Sequence, residues 1–188
     1  MSRKKIITIF EDTPEEQEKA RVAAQNYGLE PRIYTVVGPA FVVQSKGIME
    51  RGPELDAVTR KTQEIWAPSD GDLVGIVTDL YIPWSDSESD NLQLREPNDP
   101  RGMAVYIRAI SKGIPCLVCS DRVGHGSRAE WINSVGEILA QFGLEPVMLR
   151  KDWNSVIGIL AEPTCVKYEA WIKKPIERYQ EAVRAIGL

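Results

Sequence analysis

Apolar positions along the chain gather into short, nearly unbroken runs, and amphipathic stretches lie between them. Ile6 to Phe10 is a β-branched run closed by Glu11-Asp12-Thr13-Pro14, where Thr13 suits a helix N-cap and Pro14 the first helical position. The helix predicted over Pro14 to Tyr27 opens with Glu15 and Glu16 at the positive end of its dipole and stops at Gly28. Arg32 to Val37 reads as a second strand. Asp72 to Asp79 reads as a third, apolar enough to be buried on both faces as a central parallel strand is. Gly102 to Ser111 has helical spacing, with Asp99-Pro100 placed as its N-cap and first position. Ile114 to Cys119 is a fourth strand ending at Ser120. Trp131 to Phe142 is a further helix, and Glu145 to Leu149 a fifth strand followed by Arg150-Lys151.

Helical readings also cover Glu54 to Trp66, Asn154 to Ala161 and, beyond a break at Pro163, Ile176 to Ile186. Alternation of strand and helix predicts an α/β domain. The expected form is a doubly wound five-stranded parallel sheet in three layers, because crossovers of one hand place helices on both faces. The expected domain spans 1–162, with a C-terminal helical extension over 163–188 packed on it. Gly38 to Pro68 has a less clear pattern outside its helical reading, and Trp84 to Pro100 holds the acidic Ser85-Asp86-Ser87-Glu88-Ser89-Asp90 and reads as a surface loop.

Composition narrows the function classes. A net charge of −4 with scattered Lys and Arg lacks the basic stripe of a nucleic-acid binder. No apolar run reaches the length needed to span a bilayer, and the start lacks the long apolar region of a signal peptide, so the cytoplasm is the expected location. Cys116 and Cys119 form a C-x-x-C inside an apolar run, where burial suits them better than redox or metal chemistry. His125, the only histidine, lies in a glycine-rich stretch and reads as a loop residue.

Ligands of open parallel sheets sit beyond the carboxyl ends of the strands. Those ends carry Glu11 and Asp12, Asp79, Ser120 and Lys151. Three carboxylates in one pocket repel unless a hard cation joins them, and Mg²⁺ with oxygen ligands fits. A carboxylate beside such an ion can attack phosphorus, and Asp79 is the nucleophile candidate. A lysine and a hydroxyl at neighbouring strand ends can contact phosphoryl oxygens, roles that fit Lys151 and Ser120.

These residues resemble the response-regulator receiver domains of two-component signalling, a family of flavodoxin-like fold relative to which Gly38 to Pro68 and Trp84 to Pro100 are insertions. Ile9-Phe10-Glu11-Asp12 looks like that family's first-strand acidic pair, and Val77-Thr78-Asp79-Leu80-Tyr81-Ile82-Pro83 like its phospho-acceptor strand. Gly113-Ile114-Pro115-Cys116-Leu117-Val118-Cys119-Ser120 is similar to its fourth strand with the switch hydroxyl, and Lys151 takes the place of the lysine ending the fifth. The resemblance implies a cytoplasmic phosphoprotein in which Asp79 accepts phosphate from a histidine kinase or phosphotransfer protein. It implies Mg²⁺ on Glu11, Asp12 and Asp79, with Ser120 and Lys151 on the phosphoryl group. It further implies a downstream protein partner, with a homodimer left open, and a stand-alone receiver without an output module. Asp121, Asp152 and Met148 depart from the family's usual residues, which leaves open a phosphorylation-independent pseudo-receiver module. A third reading is a nucleotide- or nucleoside-processing enzyme using Asn98-Asp99-Pro100-Arg101-Gly102.

Overall fold

The computed structural model describes residues 3–41, 53–84, 101–120, 140, 141, 144 and 148–185. An all-parallel sheet runs through them in the order β2-β1-β3-β4-β5. Its strands are β1 (Lys4–Phe10), β2 (Glu30–Tyr34), β3 (Gly71–Asp79), β4 (Cys116–Cys119) and β5 (Met148–Leu149). Four of them are full strands. The fifth, expected over Glu145 to Leu149, is a two-residue ladder pairing Val118 with Met148 and Cys119 with Leu149, and 145–147 lie outside the described residues.

β2 departs from the expected Arg32 to Val37. It is an edge strand of half-buried residues with Pro31 opposite Ile7, so its own pattern is weak. The apolar Val36 and Val37 lie beyond the strand, buried where Val37 N–H donates to the Pro83 carbonyl across the top of β1.

Alternation along the central strands builds two cores. Phe10, Ile76 and Val118 face Ile65 and Trp66 of α2 (Pro53–Trp66) and Met103, Val105 and Tyr106 of α3 (Gly102–Ser111). Ile7, Ile9, Val77 and Leu117 face Ala20, Ala23 and Ala24 of α1 (Pro14–Asn26) and Val156, Ile157 and Leu160 of α4 (Trp153–Ala161). The result is helices on both faces of a parallel sheet, three layers in all. Each such fully buried aliphatic or aromatic side chain contributes roughly 1.5–3 kcal/mol. Cys116 joins the first core and Cys119 the second, so the two thiols of the C-x-x-C lie on opposite faces of the sheet.

Helix ends set the loop geometry. α1 and α3 both stop at a glycine in the left-handed region, Gly28 at φ 67° and Gly113 at φ 71°. In each case the following residue donates back over the last turn, Leu29 to Ala24 and Ile114 to Ala109. This is the closure that glycine permits without a Cβ penalty.

The C-terminal segment keeps the expected break around Pro163 and the closing helix, but helical structure resumes earlier than expected. A turn at Val166–Tyr168 runs through a π segment, Glu169–Lys173, into α5 (Lys174–Ala185). Pro175 offers no N–H to the carbonyl four residues earlier, and the π segment lies directly before it, where Lys174 N–H donates to the Glu169 carbonyl. Ile176 packs against both cores, Tyr179 against the first and Trp171 against the second, so this segment lies across the two layers. Among the described residues no helix is long and apolar enough to cross a membrane.

Candidate functional site

The sheet order reverses between β1 and β3: from β1 the chain moves to one side, and from β3 to the other. The carboxyl ends of these two strands therefore flank the crevice where open α/β sheets hold ligands. Glu11 and Asp12 follow β1, and Asp79 ends β3.

Glu11 is fully buried. Its backbone N–H donates to the Tyr34 carbonyl, which extends the ladder past β1 and fixes the turn. Its Oε1 accepts from Thr13 N–H at 2.9 Å, and its carbonyl accepts from the Gln17 side chain at 2.9 Å. Thr13 thus occupies the N-cap position of α1 without capping through its own side chain; the glutamate meets its backbone donor instead.

Asp79 is likewise buried, with 6% of its surface exposed. Lys151 joins the two acids. Its Nζ lies 2.7 Å from Glu11 Oε2 and 3.3 Å from Asp79 Oδ2, and its side chain is only 5% exposed. The contact with Glu11 is an ion pair: Oε2 has no hydrogen bond of good geometry. Burial pushes the Glu11 carboxyl above its ordinary range and the charge on Asp79 adds to this, while Lys151 opposes both. Burial also raises the Asp79 carboxyl, against the pull of Lys151 and with a further push from Asp12.

One ligand oxygen from each of Glu11, Asp12 and Asp79 lies within 4.8 Å of the others. Hard oxygen donors at that spacing could hold a small divalent cation. Ser120 is buried at the end of β4, and its N–H donates to the Leu149 carbonyl. Structure thus brings Glu11, Asp12, Asp79 and Lys151 into one group, with Ser120 one residue past the strand that lies between Asp79 and Lys151.

Asp152 turns into the first turn of α4, where its carboxylate accepts from Ser155 N–H at 3.4 Å and Ser155 Oγ at 2.6 Å. Those hydrogen bonds hold its carboxyl below the ordinary range. Asp121, His125 and the 85–100 loop lie outside the described residues.

Sequence reasoning missed Gly102. A Cβ there would collide with the Asp79 carbonyl oxygen, and its N–H donates to the Leu80 carbonyl at 3.0 Å. The N-cap of α3 is Arg101, and Asp99-Pro100 lies outside the described residues. Compared with protein-family models and with curated proteins, the chain finds no match in either.

Proposed function

We propose that the protein is a receiver-like phospho-acceptor: Asp79 takes a phosphoryl group from a phosphorylated protein or a small acyl phosphate, and a partner protein reads the changed surface. The observation that carries this reading is Lys151, whose ammonium reaches Asp79 and Glu11 from beyond β5. The strand order β2-β1-β3-β4-β5 is that of flavodoxin-like sheets and supports the finer fold assignment.

In the reaction an Asp79 carboxylate oxygen attacks phosphorus, the bond from phosphorus to the donor breaks, and the donor leaves with its electron pair. Asp79 must be ionised for this. Burial opposes ionisation and Lys151 favours it, so the lysine serves both the nucleophile and, afterwards, the phosphoryl oxygens. Ser120 supplies a hydroxyl at the neighbouring strand end for one of those oxygens. A divalent cation on Asp12, Asp79 and Glu11, with Mg²⁺ the best fit, would supply neutralising charge for the transferred group.

Incubation with acetyl phosphate and Mg²⁺ followed by intact mass tests the proposal. A phosphate-sized gain in the native chain, absent from Asp79→Asn, is the expected result. No gain, under conditions where Mg²⁺ also leaves the melting temperature unchanged, overturns it and favours a phosphorylation-independent interaction module.

A further inference from the structure

Two residues apart from the acidic group join its far ends. Trp153, two positions after Lys151 and 3% exposed, donates its indole N–H to Glu16 Oε2 at 2.7 Å. Glu16 stands in the first turn of α1, and its other oxygen meets Lys19 Nζ at 2.7 Å. Its side chain is 14% exposed. Burial would raise this carboxyl, but hydrogen bonds from Lys19 and Trp153 and the charges of Lys19 and Lys151 outweigh it and hold it below the ordinary range.

The contacts close a ring. From Glu11 the chain enters α1, where Thr13 N–H and Gln17 tie back to the glutamate. Glu16 of that helix holds Trp153 at the start of α4, Asp152 caps the same turn, and Lys151 returns to Glu11. A lysine has a long flexible stem and a large rotamer entropy to lose. Fixing the backbone on one side of it at α4 and the head group on the other at Glu11 restricts it to the conformations that reach Asp79. An indole N–H is required for this, since a phenyl ring of similar size would pack but could not bond Glu16.

We infer that Glu16 and Trp153 are positioning residues that clamp α4 to α1 and thereby hold the Lys151 ammonium over Asp79. The inference deepens the phospho-acceptor reading and rests on it only where a phosphorylation rate is concerned.

The test compares the full chain with Trp153→Phe and Glu16→Ala, by competitive trace acetylation of lysines read by peptide mass. Lys151 should be among the slowest lysines to react in the native chain. Each variant should raise its rate relative to Lys112 and Lys173 by roughly 3- to 10-fold, the factor that loss of one hydrogen bond of ordinary net strength supplies. An unchanged Lys151 rate in both variants overturns the inference. So does an equal rise at Lys112 and Lys173, which would mark a merely structural contact. In the second arm, phosphate gain from acetyl phosphate should slow in each variant, and Trp153→Phe should add nothing in a Lys151→Met background. An additive loss there overturns the positioning role. If the native chain takes up no phosphate, the phospho-acceptor reading fails and the acetylation arm still decides the clamp.

Discussion

Lys151 Nζ lies 3.3 Å from Asp79 Oδ2 although a whole strand, β4, stands between their strands. The lysine is the counter-charge of two buried carboxylates, Glu11 and Asp79. Lys151→Met should therefore leave like charges facing each other in a poorly solvated place. Removing one partner of a buried ion pair typically costs 3–5 kcal/mol. Urea denaturation at pH 7.5 should show a loss of about 3 kcal/mol, and at pH 5 a smaller one, because protonation of the raised carboxyls relieves the repulsion. An equal loss at both pH values would show that the lysine stem, not its charge, matters.

Asp79 should be stabilising only in acid. Burial raises its folded carboxyl above the unfolded value of about 3.9, so the native state binds the proton more tightly than the unfolded chain. That contribution is complete below the unfolded value and is lost as pH rises through the folded one. Asp79→Asn removes the charge and should raise the melting temperature at pH 7.5. The gain should shrink as pH falls toward 4. Thermal melts across this range check the sign, and a gain that grows in acid would contradict the burial argument.

How much of this was legible beforehand follows from where each residue sits. The central strands were readable because both their faces are buried: Ile6 to Phe10 and the Asp72 to Asp79 run announce themselves by composition. Their terminal acids came with them, since the strand end is where the apolar run stops. Counting strands places Lys151 but not its contacts, which depend on register between β4 and a two-residue β5. β2 lies off the stretch its pattern predicts because an edge strand carrying Pro31 has little pattern of its own, while the buried Val36 and Val37 beyond it look like strand. Glu16 and Trp153 are 137 positions apart, and no local pattern links them. Gly102 looked like an ordinary residue near a helix start; only the approach of the Asp79 backbone shows why a side chain is excluded.

Gly102 accordingly yields a prediction about the site's rigidity. A Cβ at this position meets the Asp79 carbonyl oxygen and, at 3.0 Å, the Leu80 Cα, both backbone atoms that no rotamer change can move aside. α3 cannot retreat without breaking the bond from Gly102 N–H to the Leu80 carbonyl. Gly102→Ala should therefore destabilise the fold by roughly 2–3 kcal/mol, despite the higher helix propensity of alanine. Urea titration measures this. A stabilised variant would mean that the end of β3 yields easily, and Asp79 would then not be rigidly held.

Cation binding gives the last prediction. Glu11, Asp12 and Asp79 bring carboxylate oxygens within 4.8 Å of one another, and an ion that binds only this folded arrangement must stabilise it. At a concentration ten times its dissociation constant the gain is about 1.4 kcal/mol, or roughly 3–6 °C in melting temperature. Mg²⁺ should produce such a shift at pH 7.5 in the native chain. The shift should disappear in Asp12→Asn and in Asp79→Asn, because each removes an anionic oxygen that a hard cation needs. Ser120→Ala should keep it, since a neutral hydroxyl adds little to a carboxylate site. Falling pH should weaken the shift early, above the ordinary carboxylate range, because protons compete for Glu11 and Asp79, whose folded carboxyls are both raised. A shift that survives both Asn variants would locate the ion elsewhere, and the acids would then serve Lys151 alone.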